Sequence, residues 1–121
     1  TLGRNRHFFG LPGNPLSVLT GLHEFVLPAL RRLSGLPEEK CRATLKVRLG
    51  RAIRAKGGRT THVLAELTWR AGQPVATPIR SHGSADLASA SSADGVVVIG
   101  PRTRSLPAGR TVVFVPWRAL P

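Results

Sequence analysis

The hydrophobic period of this 121-residue chain changes once, and that change divides what the two parts can become. Leu16, Leu19, His23, Val26, Leu27, Leu30 and Leu33 recur at a spacing near 3.6, which predicts a helix over about 15–34. Beyond residue 42 the period falls to 2. Leu45, Val47 and Leu49 alternate with Lys46 and Arg48, and Thr61, Val63, Ala65, Leu67 and Trp69 alternate with more polar residues. Alternation of this kind belongs to half-buried strands. Pro37 and Glu38-Glu39 lie at the change, so the domain boundary is expected at about 35–42.

Local signals sharpen both parts. His7 to Leu11 form a short apolar run, read as a buried strand end. Pro12-Gly13-Asn14-Pro15 then turns the chain into the helix, with Asn14 as N-cap and Pro15 in the first helical position. Gly35 is a suitable stop, and Pro28 should kink the helix near residues 24–27. In the second part, strands are expected at 45–49, 61–69, 75–80, 95–100 and 111–115, with a short helix at 84–91. Lys56-Gly57-Gly58, Ala71-Gly72 and Leu106-Pro107-Ala108-Gly109 are the turns between them. Thirteen glycines and ten prolines fit so many turns. Trp69 and Trp117 read as barrel packing. The fold class is mainly β: a small C-terminal β-barrel or sandwich at 37–121, preceded by a strand–turn–helix stub at 1–36.

Composition narrows the function. The single Cys41 excludes an internal disulfide and reads as a small buried hydrophobe. No apolar run nears the roughly 20 residues that span a bilayer, so a soluble, cytoplasmic chain is expected. Fifteen Arg and three Lys against six carboxylates give a net charge of +12. Such a balance favours phosphorylated or polyanionic ligands, and the planar guanidinium suits phosphate. The six carboxylates form no pair in a site-like setting, and no nucleophile has a supporting base, so neither a metal site nor a catalytic residue is expected. The chain contains no Met and starts at Thr1, which reads as a piece of something longer.

Two segments could carry chemistry. Gly10-Leu11-Pro12-Gly13-Asn14-Pro15-Leu16-Ser17 runs from a turn into a helix start, where backbone amides attract anions. Arg80-Ser81-His82-Gly83-Ser84-Ala85-Asp86-Leu87 is a loop of small residues entering a helix, in which His82 is a possible proton carrier or phosphate donor.

The first string closely resembles the GLPGNPVSA-type signature of the molybdopterin molybdenumtransferase family, which includes the E domain of gephyrin. The second is similar to that family's GQGSG(D/H)L loop, with Ser84 on the motif serine. Asp94-Gly95-Val96-Val97-Val98-Ile99 resembles its next strand, and Gly57-Gly58-Arg59-Thr60 its P-G-R turn. The matches run in order from about residue 8 to 115. The resemblance implies that residues 1–36 end an α/β molybdopterin-binding domain. It also implies insertion of molybdate into adenylylated molybdopterin with release of AMP, in a magnesium-dependent step whose carboxylates lie upstream. A homodimer is implied for the full-length protein, and a fragment inactive alone. It places Pro12, Gly13, Asn14, Pro15, His82 and Ser84 at the substrate. One departure stands out: the family's arginine after the P-G-R turn is Leu64 here. Arg59, or Arg80, is a candidate substitute.

Two readings from other classes compete. One is a basic β-barrel for RNA or another polyanion, disfavoured because aromatics are only 5% of the chain and stacking needs them. The other is a non-catalytic dimerisation domain.

Overall fold

The computed structural model describes residues 4–80 and 87–119, which fall into two compact units meeting after Arg42. The first is helical. Helix α1 spans Pro15–Gly21, a π-helical turn spans Leu22–Val26, and α2 spans Leu27–Leu33. The expected kink is this π turn, and its cause is local. Pro28 has no N–H to give the carbonyl four residues earlier, and its ring presses on that carbonyl. The Glu24 carbonyl instead accepts from Arg42 Nη2 at 3.3 Å, while Arg42 Nη1 stands 3.8 Å from the buried Glu24 carboxylate. The helix ends as its sequence predicts. Gly35 takes φ +95°, the Gly35 amide donates to Arg32 O and the Leu36 amide to Arg31 O, both at 3.1 Å, which is a Schellman closure.

A four-residue helix, α3 at Glu38–Cys41, follows. The Cys41 thiol is buried and donates to Pro37 O at 3.3 Å, and Arg31 Nη1 holds the Cys41 carbonyl at 3.0 Å. Burial pushes the His23 imidazole below its ordinary 6.5, Arg31 adds to the shift, and Glu24 opposes it. The strand expected at 7–11 does not form. Residues 6–12 have no regular structure and are exposed, because the described residues offer no neighbouring strand to take their backbone hydrogen bonds.

The second unit is a closed five-stranded barrel. Its strands are β1 (Leu45–Leu49), β3 (Thr61–Arg70), β4 (Gln73–Pro78), β5 (Gly95–Ile99) and β7 (Thr111–Pro116). They run in the order β1-β4-β3-β5-β7, and β7 returns to β1. Every seam is antiparallel except β1–β4, which is parallel and pairs Arg48 with Val75 and Leu49 with Ala76. Two short strands that the sequence pattern did not reveal, β2 (Ile53–Arg54) and β6 (Ser105–Leu106), pair outside the barrel as a small ribbon. Helix α4 (Leu87–Ser92) packs on β3.

The alternation read from the sequence holds. Val47, Leu49, Ala65, Leu67, Val97, Ile99, Val112 and Phe114 share the core, while Lys46 and Arg48 face out. Phe114 is fully enclosed, and burying a ring of that size contributes roughly 1.5–3 kcal/mol. Trp69 departs from expectation: at the end of β3 it is 51% exposed, opposite Pro74, and Trp117 is only half-buried.

Gly95 has the closest neighbours of the described glycines. A Cβ built there would lie 2.1 Å from Val115 O, 2.8 Å from Phe114 Cζ and 3.0 Å from Pro116 Cα. Two of those atoms are backbone and cannot rotate away. Gly95→Ala should therefore cost about 2–3 kcal/mol, the upper range for overpacking. Urea unfolding of the chain checks this, and an unchanged midpoint would count against the close approach.

Candidate functional site

The Pro12–Pro15 turn is built by Asn14. Its backbone is extended (φ −75°, ψ 125°), and Oδ1 accepts from the Leu16 amide at 3.2 Å and, at the long limit, from the Ser17 amide at 3.5 Å. The Asn14 carbonyl takes the Val18 amide at 2.9 Å. Pro15 has no N–H to offer. The first four positions of the helix thus present no spare amide, which changes the expectation that this end would offer donors to an anion. What remains for a ligand is the exposed backbone of residues 10–13. A Cβ on Gly13 would meet nothing within 4 Å, so the approach there is open. Substituting Asn14→Ala removes a side-chain cap worth about 1 kcal/mol. Amide exchange at Leu16 and Ser17 should quicken in the variant; unchanged protection would show that Asn14 does not hold the helix start.

His82 and Ser84 lie outside the described residues. The residues on either side of 81–86 are nonetheless well anchored. Before it, the Ile79 amide donates to Leu64 O at 2.9 Å. After it, Ser89 Oγ reaches back to Arg80 O at 3.2 Å. Arg118, near the end of the chain, then clamps the end of α4. Its Nη2 donates to Ala93 O at 2.6 Å and Ser91 O at 3.3 Å, and its Nε pairs with Asp94 Oδ1 at 2.9 Å.

Asp94 completes the clamp. Pairing of β3 with β5 ends at Ala65 opposite Gly95, so the next outward-facing amide on that edge, Leu67 N, has no strand to meet. Asp94 Oδ2 accepts it at 2.8 Å. The Asp94 amide donates to Ala65 O at 3.0 Å, and its carbonyl takes the Trp117 amide at 2.8 Å. Sequence reasoning placed Asp94 only in a family-like string and missed Arg118 altogether. Nothing at the level of sequence links two residues 24 positions apart across a barrel seam. Asp94→Ala would strand the Leu67 amide and release Arg118, a loss of about 2 kcal/mol. Asp94→Asn, which keeps an acceptor, should cost about half. Equal unfolding midpoints for the two variants would contradict this account.

The two candidate substitutes for an arginine at position 64 are placed differently. Leu64 is buried, opposite Val96, and next to Ile79 through the hydrogen bond above. Arg80 is therefore its near neighbour. Arg59 is exposed on the turn before β3, five residues away, which is roughly 15 Å along an extended chain. Among the described residues no three His, Cys, Asp or Glu side chains gather in a way that could hold a metal ion. No helix among them is long and apolar enough to cross a membrane.

The chain is similar to known proteins along most of its length. The family model described as MoeA C-terminal region (domain IV) matches residues 46–117. The molybdenum cofactor synthesis protein cinnamon of Drosophila melanogaster is 31% identical over 118 residues, which is 97% of this chain and 20% of that protein. A molybdopterin molybdenumtransferase of Nostoc sp. is 37% identical over 60 residues, 50% of this chain and 14% of that protein. Among solved structures, the molybdopterin biosynthesis MoeA protein of Pyrococcus horikoshii superposes with a TM-score of 0.70 at 30% identity, covering 93% of this chain and 26% of that one. The chain thus spans about a fifth to a quarter of the longer relatives it matches end to end.

Proposed function

Because the chain belongs to the MoeA C-terminal region (domain IV) family, whose named relatives serve molybdenum cofactor biosynthesis, we propose that it forms one end of an enzyme inserting molybdate into adenylylated molybdopterin with release of AMP. The observation that carries this reading is the alignment with the Drosophila protein through 97% of the chain, because it includes the turn at 12–15 as well as the barrel.

In this reading Pro12, Gly13, Asn14 and Pro15 shape one wall against the pterin and its phosphate. The wall works through form more than charge, since Asn14 and Pro15 leave the helix start without spare donors. Ser84 and His82, which lie outside the described residues, are assigned to the same ligand by the family resemblance alone, and the Ser89–Arg80 hydrogen bond ties together the residues flanking their segment. Holding those flanks reduces the entropy lost when a ligand is enclosed. Arg80 is the better placed substitute for the arginine absent at Leu64, with Arg59 the more distant one. The ligand carries phosphates and an oxyanion, which suits a surface this rich in guanidinium groups.

Magnesium, when bound, would offset phosphate charge during the step. Magnesium prefers one or two carboxylates with substrate phosphate, and among the described residues no three His, Cys, Asp or Glu side chains gather to hold a metal ion. We place its ligands upstream of this chain, as the family resemblance implies. The full-length protein would act as a cytoplasmic homodimer.

The chain alone should be inert. In a molybdate-insertion assay with adenylylated molybdopterin and magnesium, the 121-residue chain is expected to give no AMP above background. Release at a rate near that of a full-length relative would overturn the assignment of the missing chemistry to other parts of the protein.

A further inference from the structure

The ribbon formed by β2 and β6 gathers charge in a way the barrel does not need. Residues 50–60 and 100–110, its two strands with their flanking loops, contain Arg51, Arg54, Lys56, Arg59, Arg102, Arg104 and Arg110, and no carboxylate. All seven are exposed. The segments are held together by the Ile53–Leu106 and Arg54–Ser105 pairs, by the Ala55 amide on Arg104 O at 2.8 Å, and by the Gly58 amide on Pro101 O at 2.8 Å. Arg51 donates to the Pro78 carbonyl. None of the seven takes part in an ion pair among the described residues; the pairs present there, Arg42–Glu24 and Arg118–Asp94, lie elsewhere.

So many like charges on one small ribbon repel one another, and the described residues supply no ion pair to offset them. We propose that the β2–β6 ribbon is a docking surface for an extended acidic segment of another polypeptide. Two observations choose this partner over a nucleic acid. First, neither segment contains a Phe, Trp, Tyr or His, so bases would find no stacking platform. Second, β2 and β6 pair only with each other among the described residues, and Arg54 and Ser105, opposite one another in the ribbon, are both exposed, which leaves a short edge there for a further strand. A third strand can use that edge together with the charges, whereas a phosphate backbone can use only the charges. Arginine forks at spacings of about 7 Å, two residues apart along a strand, match the same-side carboxylates of an extended acidic chain.

The test uses the 121-residue chain and a fluorescein-labelled peptide of about ten glutamates, with a single-stranded and a duplex oligonucleotide of equal charge as competing probes. The variant R54Q/K56Q/R102Q/R104Q removes four ribbon charges and leaves Arg59 in place. The control R6Q/K40Q/R48Q/R70Q removes four exposed charges elsewhere, and circular dichroism confirms that both variants fold. Affinity for the peptide is expected to fall about tenfold in the ribbon variant and less than about threefold in the control. The peptide is also expected to bind more tightly than either oligonucleotide. Equal losses in the two variants would mean that net charge alone is read. No binding at about 50 mM salt would mean that the ribbon arginines serve only to guard an exposed edge against aggregation. Tighter oligonucleotide binding lost with the ribbon charges would assign the surface to nucleic acid. Each of these three results overturns the proposal.

Discussion

Closure of a five-stranded barrel leaves room for very little inside it, and the close approach of β5 to β7 follows from that constraint. Phe114 fills the centre, and the backbone of Gly95 comes so near Val115 and Pro116 that no side chain fits. Once β5 must begin at that point, the edge of β3 is left with an amide at Leu67 that no strand can take. A buried backbone amide without an acceptor is costly, so the residue just before the glycine has to be an acceptor with reach. Asp94 is that residue. Its charge in turn recruits Arg118, and Arg118 fastens the end of α4. A packing limit in the core is thus transmitted, bond by bond, to the C-terminal end of α4.

Periodicity made the barrel legible. The alternation in β1, β3 and β7 identifies inward and outward residues directly, and the positive-φ pair Ala71-Gly72 closes the β3–β4 hairpin where the turn was expected. What period and turn signals do not encode is partnership. The parallel β1–β4 seam and the β2–β6 ribbon depend on residues far apart in sequence, and two-residue strands leave no periodic trace. Trp69 shows the same gap. It continues the alternation of β3, but it lies past the end of the enclosed core and so stays exposed. The turn at 12–15 was legible as a cap, yet not the consequence that a good cap uses up the amides an anion would need.

In the helical unit one proline organises more than a kink. Pro28 withholds a hydrogen bond from Glu24 O, the π turn absorbs the strain, and Arg42 supplies the missing donor while its other nitrogen faces the Glu24 carboxylate. Phe25, Leu30 and Leu33 remain exposed, as do Phe8 and Phe9. An amphipathic helix gains most of its stability from covering such a stripe. The unit therefore has the inner architecture of a packed element and the outer surface of one that lacks its cover.

These features separate two kinds of recognition within one basic chain. Where a ligand is to be oriented, as proposed for the 12–15 turn, the amides of the helix start are already satisfied, and what is left is the exposed backbone of residues 10–13 beside proline and open glycine. Selectivity there leans on shape, since the helix start itself has no spare amide to reward a mere anion. On the β2–β6 ribbon the balance is reversed: among the described residues its charges form no ion pair, its strands pair only with each other, and little apolar surface is offered. Binding there would be fast and sensitive to salt, because long-range attraction acts before any close fit does. A high net positive charge is thus a poor guide to where a small phosphorylated substrate sits. It is set largely by residues of the ribbon, while the substrate wall identified by resemblance has no charged side chain at all between Phe8 and Gly21.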